Sequence, residues 1–187
     1  GKVVFQREYH RDYEEPFRRS PDRKRGPYNY HDPEWHPFRQ GTSLHTMQSI
    51  SKSVTATLIA IAMQRGELKG IDAPVMTFFP DYRAAPDPRR ERMTLRHLLT
   101  MTAGIRWDET TAGYSDPRNS CAGMEGSADW VQFVLDQPMA EEPGQRFVYN
   151  SGATQLLSEV LRKATGRHAD EYAAEVLFRP LGITSQF

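Results

Sequence analysis

Five stretches after residue 45 carry apolar residues at helical spacing, whereas only one stretch in the whole chain alternates at period two. That imbalance constrains the fold more than any other feature. A helix satisfies its own backbone hydrogen bonds, and a strand satisfies them only through a partner. The alternating stretch is residues 2–9, KVVFQREY, with Val3, Phe5 and Tyr9 on one face and Arg7 as the exception. It reads as a strand at a sheet edge, yet a lone strand has nothing to pair with. The chain also opens directly in this strand-like run, which suggests trimming at the front.

The helical stretches are well punctuated. In 45–68, HTMQSISKSVTATLIAIAMQRGEL, a polar segment runs into Val54, Leu58, Ile61 and Ala62 on one face, with Gly66 as the stop. MTLRHLLTMTAG predicts a short helix capped by Thr94, buried through Leu95, Leu98 and Leu99, and closed at Gly104. SADWVQFVLD predicts another, stopped before Pro138. SGATQLLSEVLRKATG turns Leu156, Leu157, Val160 and Leu161 inward and stops at Gly166, and HADEYAAEVLFRPLGI predicts a last helix ended by Pro180. Residues 105–126 read as one long loop holding Trp107, Tyr114 and Asn119, and long loops are where binding residues concentrate.

Residues 10–44 break any regular element with Pro16, Pro21, Pro27, Pro33 and Pro37. The basic run Arg18, Arg19, Arg23, Lys24, Arg25 is offset by Asp12, Glu14, Glu15 and Asp22, so it reads as a solvated loop rather than a nucleic-acid patch. Lys plus Arg and Asp plus Glu both number 24, which leaves no whole-chain field to attract nucleic acid or a membrane surface. The longest apolar run, Leu58 to Met63, is too short to cross a bilayer. Cys121 stands alone and has no partner for an internal disulfide.

Chemistry concentrates where the first helix begins. Ser49 and Lys52 are three residues apart, so on a helix they share a face. Ser49 can be a helix cap, a role open also to Ser51 and Ser53, or a nucleophile with Lys52 as the base that takes its proton. A cap is the default role of a serine at a helix start. The second reading draws support from the apolar helix behind Lys52, because burial supplies neutral amine. The helix N-terminus adds positive character for a developing oxyanion. About a hundred residues on, Tyr149 occupies a turn before another helix start, followed by Asn150 and Ser151. It can relay a proton, or simply lid the helix end. No Gly-x-Ser-x-Gly elbow accompanies His45, which sets aside a Ser-His-Asp triad.

SISK, MTLRHLLTMTAGI, PGQRFVYNSGATQLLSEVLRKATG and LFRPLGI, in that order and spacing from about residue 45 to the end, resemble the serine β-lactamase and penicillin-binding-protein superfamily. The resemblance is strongest to its class C-like esterases, D-aminopeptidases and 6-aminohexanoate-dimer hydrolases. It implies an α+β, β-lactamase/transpeptidase-like fold: an antiparallel sheet flanked by helices, with an all-helical subdomain that makes up most of this chain. Residues 1–44 would be the front strand and loop of the α/β region, and residues 45–187 the helical region. The resemblance further implies Ser49 as the acylated nucleophile, Lys52 as its base partner and Tyr149 as the catalytic tyrosine. No metal or organic cofactor is implied.

Two departures qualify the resemblance. Ser151 stands where the family's Tyr-x-Asn motif has the Asn that contacts the substrate amide, which shifts the expectation from β-lactams toward other esters and amides. The third motif, Lys-Thr-Gly or a variant on an inner strand, is not found, nor are the remaining strands. The expectation is therefore that the C-terminal sheet portion lies outside this chain, in a truncated part or a second chain, and that the orphan strand pairs there. Trp107, Tyr114 and Asn119 are candidate pocket walls beside Ser151, or else aromatics and polar groups covering a helix end. The expected partner is a small ester or amide. The alternatives are a D-alanyl peptidase or true β-lactamase using the same residues, and a binding module that kept the serine without turnover. Export is common in the superfamily, and no residue here selects it over the cytoplasm.

Overall fold

A computed structural model describes residues 2–7, 47–82, 86–114 and 116–184. The chain divides into two compact units, Gly1–Thr46 and Met47–Phe187. In the first, residues 2–7 carry no strand, and Val3, Val4 and Phe5 are exposed. The strand expected from the alternation is therefore corrected over 2–7. Alternation marks a face, but a strand exists only through a ladder, and no described segment supplies one. Residues 8 and 9, and the proline-broken loop to residue 44, lie outside the described residues.

The second unit is helical. Helix α1 (Ser51–Gln64) continues a 3-10 turn at Gln48–Ile50. A 3-10 turn at Val75–Phe78 and short helices α2 (Pro88–Glu91) and α3 (Leu95–Leu99) follow. Then come α4 (Ser120–Glu125), α5 (Trp130–Asp136) and α6 (Ser151–Thr165). Helix α7 (Ala169–Ala173) runs into a π-helical turn at Ala174–Phe178 and a 3-10 turn at Arg179–Leu181. Among the described residues the β pairings are two isolated bridges, Pro74 with Thr94 and Ile105 with Met139. No described helix is long and apolar enough to cross a membrane.

Helix α6 is the central element. It begins at Asn150, whose Oδ1 accepts the Ala153 N–H at 2.8 Å, and ends at Gly166 in the left-handed region at φ 72°. Its inward face buries Ala153, Leu156, Leu157, Val160 and Leu161 against α1, α3 and α5. Fully burying one such side chain stabilises the fold by about 1.5–3 kcal/mol. Leu156 is fully enclosed, so Leu156→Ala is expected to lower unfolding free energy by about 2–5 kcal/mol, read as a shift in the urea midpoint at unchanged slope.

Three expectations for these segments are corrected. The stretch 105–126 is not all loop, because α4 forms within it. Asn119 accepts the Cys121 and Ala122 N–H groups, and Cys121 and Met124, three residues apart, bury the same face. The last helix is broken earlier than Pro180, by the π-helical turn that starts at Ala174. Helix α3 is shorter than read, since Met101 leaves the helical region at φ 54°. Gly104, at φ 75°, is where the chain turns back, and a Cβ there would sit 2.4 Å from the Glu141 carbonyl oxygen.

His97 closes the start of α3. Its Nδ1 accepts the Thr94 backbone N–H at 3.1 Å, which requires the neutral ring. Burial first, and then the neighbouring Arg96 charge, lower its pKa from the ordinary imidazole value, with Asp72 opposing. The unfolded chain therefore takes up this proton first. Stability is present above the ordinary value of about 6.5 and is lost as pH falls toward the lower folded value. His97→Gln keeps an acceptor at the capping position. It is expected to flatten the stability-versus-pH slope between pH 7 and 5, measured by urea unfolding at each pH.

Candidate active site

The turn that carries Ser49 is strained. Gln48, immediately before it, has φ 48°, a conformation uncommon for a side-chain-bearing residue. Such a conformation costs on the order of 1–3 kcal/mol and persists only where neighbours enforce it. Here the Ser51 hydroxyl donates to the Gln48 carbonyl at 2.5 Å and closes the turn. Neither Met47 nor Ile50, the residues flanking the helix start, makes a side-chain capping bond. Ser49 is thus not spent on capping α1.

Instead its hydroxyl faces two polar groups. Lys52 Nζ donates to Ser49 Oγ at 3.1 Å, and Tyr149 Oη lies 2.5 Å from the same oxygen. Lys52 Nζ also lies over the Tyr149 ring, 5.0 Å from its centre. Ser49 is exposed and Lys52 and Tyr149 are half-buried, so the three polar tips meet at an accessible point.

Tyr149 reaches this point from a strap, residues 139–150, that returns along residues 101–106. The Arg106, Ala140, Gly144 and Val148 N–H groups donate to the Pro138, Gly104, Thr102 and Met101 carbonyls, at 2.7–2.9 Å. Beyond the tyrosine the chain enters α6 at once. Both side chains are therefore delivered by a helix N-terminal end, Ser49 ahead of α1 and Tyr149 ahead of α6, and the two helices pack on each other.

The other candidate residues lie differently. Ser151, Trp107 and Tyr114 all converge on Glu109, a carboxylate only 5 % exposed. Glu109 accepts from Trp107 Nε1 at 2.5 Å, from the Ser151 backbone N–H at 2.5 Å, from Ser151 Oγ at 2.9 Å and from Tyr114 Oη at 3.1 Å. Trp107 is in the core rather than on a pocket wall. Its ring meets Phe133 edge-on at 6.3 Å and lies so close to Gly152 that a Cβ there would fall 2.7 Å from it. Asn119 is fully buried, with its amide N–H groups on the Glu109 and Ala112 carbonyls and its oxygen capping α4. It braces the loop and has no face left for a ligand. Tyr114 turns its hydroxyl inward while the residue stays 40 % exposed, and burial, then the Glu109 charge, push that hydroxyl up to about 12. The same two causes raise the Cys121 thiol.

Glu109 was not legible beforehand. In RWDETT it stands among polar neighbours like any solvated acid, and only the fold shows four donors aimed at it. Among the described residues no cluster of His, Cys, Asp or Glu is arranged to hold a metal ion. A groove of about 600 Å³ lined by Leu68, Ile71, Pro74, Phe78 and Ala164 contains none of the site residues.

The likeness to known proteins runs through this same framework. Esterase EstB of Burkholderia gladioli is 31% identical over 157 residues, 79% of this chain and 38% of that protein. A D-stereospecific amidohydrolase from Streptomyces sp. superposes with a TM-score of 0.55 at 26% identity, over 72% of this chain and 41% of its own. The octameric penicillin-binding protein homologue from Pyrococcus abyssi gives 0.52 at 29% identity, over 72% and 30%. The chain thus spans about two fifths or less of the length of these relatives, and the fold it shares with them is of the β-lactamase/transpeptidase type. The model of the family described as Beta-lactamase matches residues 21–187, a span that holds Ser49, Lys52 and Tyr149 together, and the chain belongs to that family.

Proposed function

We propose that this chain carries the acylation centre of a serine hydrolase acting on small esters or amides through an acyl-enzyme. The observation that carries the reading is the placement of Ser49 Oγ 2.5 Å from Tyr149 Oη and 3.1 Å from Lys52 Nζ. A serine hydroxyl becomes a nucleophile when a neighbouring base takes its proton, and both candidate acceptors are within hydrogen-bond reach.

In this reading Ser49 Oγ attacks the carbonyl carbon as its proton passes to the Lys52–Tyr149 pair. The carbonyl π bond opens to an oxyanion held by the Ser49 backbone N–H. By family resemblance a second N–H would come from a sheet strand, and none is found among the described residues. The intermediate collapses, the bond to the leaving group breaks, and Tyr149 returns the proton to the departing alcohol or amine. Water then repeats the sequence on the acyl-enzyme and frees the acid. The names of the relatives, an esterase and an amidohydrolase, support hydrolysis of such bonds.

A second reading, a D-alanyl peptidase or β-lactamase with the same three residues, draws support from the penicillin-binding protein homologue. Turnover of short-chain nitrophenyl esters against nitrocefin and a D-Ala-D-Ala peptide separates the two. The first test is intact mass before and after a fluorophosphonate probe, with peptide mapping. One adduct on Ser49, absent from Ser49→Ala, is the expected result. An adduct elsewhere, or none on the protein as its gene encodes it, would sink the proposal.

A further inference from the structure

The reach of Tyr149 to Ser49 depends on a short piece of backbone, residues 148–151, held at both ends. On one side the Val148 N–H is bonded to the Met101 carbonyl at 2.8 Å. On the other the Ser151 N–H and hydroxyl are both bonded to Glu109. Asn150 already caps α6 through the Ala153 N–H, so the helix has a cap of its own. The Glu109 clamp adds something a cap does not, since it ties the first residue of α6 to the loop 107–114 across the chain. Glu109 is itself fixed by the Trp107 indole, whose ring lies against Gly152 and meets Phe133 edge-on.

The chemistry of the clamp suits a fixed carboxylate. Glu109 Oε1 faces an indole N–H and a backbone N–H, both donors only. The N-terminal end of a fifteen-residue helix favours negative charge. Hydrogen bonds to an ionised acceptor are stronger and shorter than neutral ones, so the Ser151 end of the segment is held tightly. We propose that Glu109 is a positioning residue: its buried carboxylate, clamped on the first residue of α6, sets the position of Tyr149 relative to Ser49. The inference rests on the reading of Ser49 and Tyr149 as the reacting pair.

The geometry makes the consequence steep. A displacement of about 1 Å at a reacting group can lower a rate by about 100-fold, while substrate binding elsewhere is unaffected. Glu109→Gln keeps the size of the side chain but leaves the Trp107 and Ser151 N–H groups on a neutral amide oxygen. It also replaces with an NH₂ group the oxygen that accepts from the Ser151 and Tyr114 hydroxyls, so every bond of the clamp loses its ionised acceptor. It is expected to lower kcat for a nitrophenyl ester by roughly 30-fold or more with KM within about twofold. Ser151→Pro is the complementary variant. It deletes the N–H and hydroxyl that Glu109 accepts, at the first helical position where proline is tolerated. Asn150, at φ −145° and ψ 101°, is already extended as the residue before a proline should be.

The experiment measures kcat, KM and thermal midpoint for Glu109→Gln, Ser151→Pro, Tyr149→Phe and the double variants, in the protein as its gene encodes it. Two features are expected beyond the loss itself. Glu109→Gln and Ser151→Pro together lose little more than either alone. In the Tyr149→Phe background the Glu109→Gln penalty shrinks to within about threefold, because the clamp acts through the missing hydroxyl. A merely structural role would leave the same penalty in both backgrounds. Should Glu109→Gln fail to fold, Ser151→Pro alone and with Tyr149→Phe decides by the same criterion. The inference is overturned by a folded clamp variant with wild-type kcat, or by a penalty of full size without the tyrosine hydroxyl. Wild-type kcat in Tyr149→Phe itself sinks the reading of Tyr149 as a reacting group, and the inference with it; that failure is recognised from the single variant alone.

Discussion

Ser49→Ala is expected to abolish covalent labelling and to lower esterase kcat by about 10⁴-fold or more, at nearly unchanged stability. The rate loss follows from chemistry, since no other hydroxyl replaces Ser49 Oγ between Lys52 and Tyr149. Ser51 is the nearest alternative in sequence, but its hydroxyl is committed to the Gln48 carbonyl. The small effect on stability follows from exposure. Ser49 is exposed, so water can take up the hydrogen bonds that Tyr149 and Lys52 lose. The measurements are kcat and KM on a short-chain nitrophenyl ester, intact mass after the fluorophosphonate, and the thermal midpoint. Residual turnover within tenfold of the parent would mean that Ser49 is not the acylated residue.

The second large effect is expected from Tyr149→Phe. Removing one oxygen deletes the partner 2.5 Å from Ser49 Oγ but leaves the ring over which Lys52 Nζ sits at 5.0 Å. The strap bonds through Val148 and the cap through Asn150 do not involve the phenol, so the fold should persist. General acid–base catalysis by one positioned group contributes typically 10²–10⁴-fold. A kcat loss in that range, with KM changed little, is the expected result. Esters with good leaving groups should lose less than amides, because a nitrophenolate departs without a proton and an amine does not. Equal losses on both would show that Tyr149 acts on Ser49 deprotonation alone and not on the leaving group.

Much of this centre was legible in the chain. Ser49 and Lys52 read as neighbours because a helix places residues three apart on one face, and the 3-10 turn that runs into α1 keeps them adjacent. Gly166 was legible as the end of α6, and its start as Asn150 or Ser151, since capping is settled within a few residues; the structure selects Asn150. The inward face of α6 follows from apolar periodicity, with Leu156, Leu157, Val160 and Leu161 buried as expected. On α1 Leu58 and Ala62 are buried, Val54 and Ile61 only partly so, and Ile59, not read as inward, is fully buried. Residues 2–7 show the limit of that logic, because their period-two pattern specifies a face while a strand needs a second segment.

Trp107 and Asn119 mark the same limit inside the loop. Their residue types suit a pocket wall as well as a core, and only the tertiary path of residues 105–119 turns them inward. Glu109 is the sharpest case. Its burial depends on donors from Trp107, Tyr114 and Ser151, the last of them 42 residues away in the chain. By itself, then, the amino-acid sequence indicated α1, α5 and α6, the stop of α6 at Gly166, the Ser49–Lys52 pair and the tyrosine turn. All of these are set by interactions spanning a few residues. The tertiary structure alone decided that Tyr149 meets Ser49 across a separation of 100 residues, and that a buried carboxylate clamps the helix beside it. The physical reason is that contacts between distant segments depend on how the helices pack, and local periodicity constrains that packing only to a face.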